Sequence, residues 1–347
     1  MAGVPRLPAF CPHAVVILFL LLAFPAMAQA PAAQPRLSLP VDCLATDDCF
    51  IQWYMDIDAG PGREDPFCGI LTYDGHRGID FRLRDREAMR RGFPVLAALD
   101  GVVAATRDGM EDPPRVDRKA IAGRECGNGV LLQHPGGYLT QYCHMRKGSI
   151  AVKRGQRVRA GDRLGLIGQS GLADFTHVHF ELRHGRKIID PFTGQVAQAP
   201  PRCQPLAGKG LWADETAPFL VYRPVGLVRD GFSAVIPDRE IMDEGRDRLP
   251  TVTSPALLYW LRLYGVRKGD RVNLTLWAPD GRIMAESRNV APRDMAQVHY
   301  YLGRKLRTKR WPAGRYRARA ELLRRGETLF ERSAEYRLQD KPAPNGR

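Results

Sequence analysis

The 347-residue chain is short of acid: 38 Asp and Glu stand against 52 Lys and Arg, a formal charge of +14. A field of that sign disfavours basic partners and leaves polyanions such as nucleic acid, anionic lipid or wall polymers. The chain also lacks apolar runs of the length and number that a polytopic membrane protein needs. Its composition, 44% hydrophobic, 26% charged and 8% aromatic, has neither the polar bias of a disordered chain nor the glycine period of a collagen. A folded protein with two compact domains is expected from the length.

The first residues choose among the polyanions. Arg6, the apolar run Ala14 to Phe24, then Pro25 and Ala26-Met27-Ala28 have the basic start, short apolar middle and small-residue cut of a secretory signal. Cleavage is placed after Ala28, because a cut after Ala30 would set the locked ring of Pro31 just past the scissile bond. An uncleaved anchor is the alternative, though the run is short for one. No Cys follows the small-residue box, so lipoprotein processing is not expected. Removing residues 1–28 takes away one Arg and no acid, leaving +13 for a periplasmic or secreted protein, with no nucleic acid as partner and no stable membrane span. Six cysteines remain, Cys43, Cys49, Cys68, Cys126, Cys143 and Cys203, an even number bound for an oxidising compartment. Disulfides are expected, with Cys43 to Cys49 short enough for a local loop and fifteen pairings open in all.

Boundaries follow composition. Residues 29–64 read as a flexible Ala-, Pro- and Gln-rich leader and a more structured arm, and 201–224 as a proline-containing linker. Residues 65–200 carry short β-type runs broken by glycines, such as Val102-Val103-Ala104 and Val130-Leu131-Leu132, which predict a compact antiparallel β domain. Arg107 to Glu125 reads as a long polar insertion, with Pro113-Pro114 against regular structure. In residues 225–340, Val272, Leu274 and Leu276 alternate with Asn273, Thr275 and Trp277, and Tyr316, Ala318, Ala320 and Leu322 alternate with Arg315, Arg317, Arg319 and Glu321. That pattern predicts a mainly β chain ending in an immunoglobulin-like sandwich, although the Cys and Trp hallmarks are absent. The arginine row is either an anionic-polymer surface or simply the wet face of a sheet. Residues 341–347 form a tail.

Three short segments hold the chemistry. His76 and Asp80 are four apart; Gly75 and Gly78 disfavour a helix, and even spacing also puts both on one side of a strand. His177 and His179 project from one face of a strand while Val178 and Phe180 pack beneath. His144 ends a third strand-like run. Together they offer His, Asp and His for a metal with imidazoles to spare, the ligand count of a catalytic zinc site that leaves a position for water. Manganese and iron accept similar ligand sets, and oxidised cysteines have no thiolate to donate.

In this order, His76-x-x-x-Asp80, Tyr142-x-His144 and His177-x-His179 followed by Phe180-Glu181 resemble the lysostaphin-type (LytM-like) zinc metalloendopeptidases of peptidoglycan. The resemblance runs from about Gly69 to Pro191, with Pro94 to Ala98, Gly127-Asn128-Gly129-Val130 and Asp190-Pro191 in support. It implies one zinc ion held by His76, Asp80 and His179, and a catalytic pair of His144 and His177 that removes a proton or stabilises the developing oxyanion, the two roles undivided. It implies an exported hydrolase of peptidoglycan cross-link peptides, to which anionic envelope polymers would also be drawn. The helical H-E-x-x-H of other zinc proteases is absent.

Two non-enzymatic readings compete. One is a relative of the same fold that activates separate amidases, a class that typically lacks zinc ligands. The other is an envelope scaffold whose working part is the C-terminal sandwich. The arm from Cys43 to Gly62 or the insertion is expected to cover the cleft and restrain a hydrolase dangerous to its host.

Overall fold

The computed structural model describes residues 1, 3, 34–44, 46, 48–197, 203–204 and 210–340. The expected signal at 1–28 and the tail at 341–347 lie outside the described residues, apart from positions 1 and 3.

Antiparallel strands dominate, as the alternation predicts. The first ten are β1 (Cys49–Trp53), β2 (Ile79–Leu83), β3 (Pro94–Leu96), β4 (Gly101–Arg107), β5 (Asn128–Gln133), β6 (Tyr138–Met145), β7 (Arg157–Val158), β8 (Arg163–Leu166), β9 (His177–His184) and β10 (Lys187–Ile189), with helix α1 (Arg86–Arg91) after β2. Eight of them form one sheet in the order β1-β2-β9-β6-β5-β4-β7, with β10 on the end of β9, and β3 and β8 make a separate pair. β2 and β9, far apart in sequence, are hydrogen-bonded neighbours inside the sheet, each flanked by a strand on both sides. Phe81, Val178, Phe180 and Leu182 are fully buried beneath them.

The arm is part of this sheet rather than a cover over it. β1 pairs antiparallel with β2, and Leu37 and Val41, placed by composition in a flexible leader, are fully buried in the same core. Leu211 and Trp212, within the expected linker, are buried there too. Composition averages over such segments, whereas a few large apolar side chains are enough to anchor them.

Seven strands follow: β11 (Gly226–Ser233), β12 (Ala256–Val266), β13 (Arg271–Trp277), β14 (Ile283–Val290), β15 (Met295–Lys305), β16 (Gly314–Arg324) and β17 (Glu327–Leu338), with one helical turn, α2 (Arg239–Met242), after β11. They form sheets β11-β12-β15 and β14-β13-β16-β17, which face each other across a second core. The arginine row of β16 is paired with acids: Arg319 with Glu331 of β17 at 3.1 Å and with Glu321 of its own strand at 2.7 Å, and Arg315 with Glu335 of β17 at 3.4 Å.

β12 is buried on both faces. Leu257, Tyr259, Leu261 and Leu263 enter the second core, while Trp260 packs on Ile241 and Met242 and Tyr264 enters the first core, its ring stacked on Phe50 at 5.1 Å. Ion pairs reinforce this seam, Arg229 to Asp85 at 2.9 Å and Arg86 to Glu244 at 3.1 Å. The two cores are therefore locked into one unit spanning Gln34–Arg347. Three disulfides, Cys43–Cys49, Cys68–Cys203 and Cys126–Cys143, add covalent ties.

Removing the stacked ring should loosen this seam before either core melts. Tyr264→Ala is expected to cost about 3–5 kcal/mol and to turn a single thermal transition into two. Calorimetry checks it; one transition at an unshifted midpoint would contradict the two-faced role of β12.

Candidate metal centre

The site is built on the pairing of β2 with β9, in which Asp80 stands directly opposite His179. His76 is on neither strand: the turn before β2 folds its ring back over Asp80, so the two share neither a helix nor a strand face. The ring is fixed by its Nδ1–H, which donates to the Tyr54 carbonyl at 2.6 Å. That bond leaves the Nε2 lone pair directed at Asp80 Oδ1 and His179 Nδ1, each 3.1 Å away, and Asp80 Oδ1 lies 2.8 Å from His179 Nδ1. Close approach here requires Gly78, because a Cβ on it would stand 2.7 Å from the His179 ring and 2.4 Å from the Phe180 carbonyl oxygen.

Three donors thus converge within 4.8 Å of one another in a buried place. At most one proton, on His179 Nδ1, is available for three contacts among them, so two lone pairs and a carboxylate would repel without a shared cation. The donor set, two imidazoles and one carboxylate, fits a small divalent ion such as zinc. The surroundings fit as well. Glu181, two residues along the same face of β9, stands 4.0 Å from His179 Nε2, where it favours the tautomer that leaves Nδ1 free for a cation. Burial opposes charge on His179, yet the hydrogen bonds to Asp80 and Glu181 outweigh it and push its pKa up to about 9. Burial likewise opposes charge on Asp80, but the His76 and His177 imidazoles hold its carboxyl well below the usual range. A cluster that draws positive charge so strongly is a cation site in electrostatic terms.

The other two imidazoles stand beside it. His177 Nδ1–H donates to the Phe175 carbonyl at 2.9 Å and its Nε2 lies 3.6 Å from Asp80 Oδ2. His144 Nδ1–H donates to the Ser170 carbonyl at 2.8 Å, and its ring centroid is 4.6 Å from that of His177. Both are neutral in this setting, since burial presses each pKa down and neighbouring imidazoles press His144 further. His144 has a left-handed backbone, φ 62°, uncommon for a side chain with a Cβ. It is held there by its amide, which donates to the Cys126 carbonyl at 2.8 Å, and by the adjoining Cys126–Cys143 disulfide. All five residues singled out in the sequence therefore lie in one cluster. What the sequence hid are the carbonyls of Tyr54, Phe175 and Ser170, which have no side-chain signature. Glu181 was legible in principle, by its even spacing from His179.

Asp80 and His177 open onto a cleft of about 710 Å³, inside the usual range for ligand sites. Tyr73 and Trp53 line it on one side and Arg115 of the insertion on another; Arg262 and His299 come from the C-terminal half. The insertion is fastened rather than loose: Asp112 accepts from the Gln169 and Lys147 amides at 2.6 and 2.9 Å.

Residues 74–191 match the family described as Peptidase family M23. The peptidoglycan DD-endopeptidase ShyA of Vibrio cholerae is 38% identical over 131 residues, covering 38% of this chain and 25% of ShyA. The murein hydrolase activator NlpD of Salmonella typhimurium is 30% identical over 105 residues, covering 30% of this chain and 26% of NlpD. The catalytic domain of the prophage-encoded M23 protein EnpA from Enterococcus faecalis aligns with 46% of this chain and 95% of its own at 23% identity and a TM-score of 0.31. The chain spans about a quarter of the length of the curated relatives it matches, 25% and 27% in the two uncharacterized metalloproteases.

Gly78→Ala is expected to destabilise the fold by about 1–3 kcal/mol, because either the Phe180 carbonyl or the His179 ring must give way. A denaturant midpoint equal to that of the unsubstituted protein would show that the β2–β9 contact is looser than these distances require.

Proposed function

We propose that this chain, whose residues 74–191 belong to Peptidase family M23, is an exported zinc endopeptidase that hydrolyses peptide cross-links of bacterial peptidoglycan. The observation that carries the reading is the cluster of His76, Asp80 and His179, three donors held within 4.8 Å, with two neutral imidazoles alongside. An activator that only binds a partner has no use for five converging groups whose burial costs stability. The match to a DD-endopeptidase supports the substrate class, and the match to an activator defines the competing outcome. Export is supported by the N-terminal sequence and by three disulfides.

His76 Nε2, Asp80 and His179 Nδ1 are the groups that would hold zinc. Bound there, the ion supplies Lewis acidity to the scissile carbonyl and to water. His144 and His177 present Nε2 lone pairs, because each Nδ1–H is spent on a backbone carbonyl. One takes the proton of the attacking water at Nε2, and the imidazolium so formed donates to the developing oxyanion and then delivers the proton to the leaving amine; the other accepts from the same water and orients it. Tyr54 fixes the ring of His76, and Glu181 fixes that of His179.

Purified protein is expected to hold one zinc per chain and to release cross-link peptide fragments from peptidoglycan, identified by mass, with a chelator abolishing release. A folded protein with no metal and no cleavage would assign the chain to the activators. His179→Ala should lose both metal and activity. His144→Ala should retain the metal and lower kcat about 100- to 10,000-fold, a separation read by metal analysis beside kinetics.

A further inference from the structure

The cleft has a wall that residues 74–191 do not supply. β12 carries one charged side chain in an otherwise apolar and uncharged strand, Arg262, and antiparallel register sets His299 of β15 directly beside it. Gln297 lies two residues along β15 on the same face, and the three line the same cleft as Asp80 and His177. Evolution of a strand buried on both faces ordinarily removes charge from it, since desolvating a guanidinium is costly. Here the charge sits where the seam between the two halves opens towards the metal centre.

The electrostatics of the lining are one-sided. Asp80 is committed to the histidine cluster. Asp243 is shared by two guanidiniums, those of Arg262 and of Arg239, the latter at 3.0 Å. Arg115 has no ion pair or hydrogen bond among the described residues, and the Arg118–Asp174 pair, 3.1 Å long, is largely exposed and so contributes little. The cleft therefore holds more positive charge than its own acids neutralise. The side-chain oxygen of Gln297 has no partner among the described residues and is covered in the free site, so it can serve an N–H from the cleft once the side chain turns towards it. His299, its pKa lowered by burial and by Arg262, is neutral and adds a hydrogen-bonding group rather than a charge.

We propose that the C-terminal β layer completes the substrate site: Arg262, together with Arg115 of the insertion, binds a free carboxylate on the peptide beside the scissile bond, and Gln297 accepts a backbone N–H of the same peptide. The proposal rests on the endopeptidase reading for the identity of the peptide and assigns its specificity to residues outside the family segment. Arg262 and Arg115 approach from different halves of the chain, so a carboxylate between them is gripped only while the seam around Tyr264 is closed.

The test uses the full chain and two fluorescein-labelled peptidoglycan stem-peptide dimers, identical except that the carboxylate beside the cross-link is free in one and a primary amide in the other. Binding is read by anisotropy with metal removed, and kcat/KM with zinc present. The unsubstituted chain is expected to bind the free acid about tenfold more tightly than the amide, as one charge-assisted contact gives. Arg262→Gln and Arg115→Gln should each weaken binding of the acid, leave binding of the amide unchanged, and act on KM rather than kcat. Arg115→Gln, on an exposed side chain, guards against loss of the fold in Arg262→Gln. Equal affinity of the unsubstituted chain for acid and amide, or discrimination that survives both substitutions, would overturn the proposal. Failure of the endopeptidase reading would look different: neither peptide cut with zinc present, while the acid is still preferred in binding.

Discussion

One carboxylate organises the site. Asp80, almost wholly buried, faces His179 across the β2–β9 pair and lies within 3.6 Å of three imidazoles. A lone carboxylate so placed would be protonated by desolvation, and its charge survives only because the imidazoles surround it. The same charge then dictates the tautomers. Each histidine that turns a lone pair towards the centre must give its other nitrogen a partner, and the carbonyls of Tyr54, Phe175 and Ser170 serve three of them. The backbone positions just after β1, in the turn before β9 and in the loop after β8 are thereby tied to a single electrostatic requirement.

That dependence explains why the arm cannot be a removable lid. β1 contributes no residue to the candidate metal centre, yet Tyr54, the residue after it, holds the His76 ring through its carbonyl. The insertion is constrained for a similar reason. It ends at Glu125, next to Cys126, whose carbonyl and disulfide secure the left-handed backbone of His144. Segments that composition marks as peripheral are thus the supports of the site. Strain of this sort persists only where the surroundings over-determine it.

The alternation of His177 and His179 over Val178 and Phe180 was legible because a strand has only two faces, and both histidines had to share one. The glycine-punctuated β pattern was legible for the same reason. The position of His76 was not, since a turn obeys no period and Gly75 and Gly78 signal only that regular structure ends. The double burial of β12 also escaped the period-two reading: with both faces apolar the alternation vanishes, and the strand looks like an undifferentiated hydrophobic run. The arginine row of β16 was ambiguous because acids that pair with it lie on the neighbouring strand, visible only once the register is known. Pairings across a sheet are long-range facts that no local window contains.

The two-sided strand also bears on what the family match means. The match ends at residue 191, whereas a wall of the cleft comes from β12 and β15. A domain that served only as a tether would be joined by a linker and would leave the cleft unchanged. This one instead buries Trp260 and Tyr264 against its neighbours and crosses the seam with Arg229–Asp85 and Arg86–Glu244. Desolvation offsets much of the attraction in ion pairs buried to this extent, so the rigidity of the seam rests on the apolar contacts and the pairs fix its register. A fixed register is what a binding wall requires: under the proposed endopeptidase function the histidine–aspartate cluster would set where the bond is cut, and a second surface held at constant distance would set which peptides present that bond.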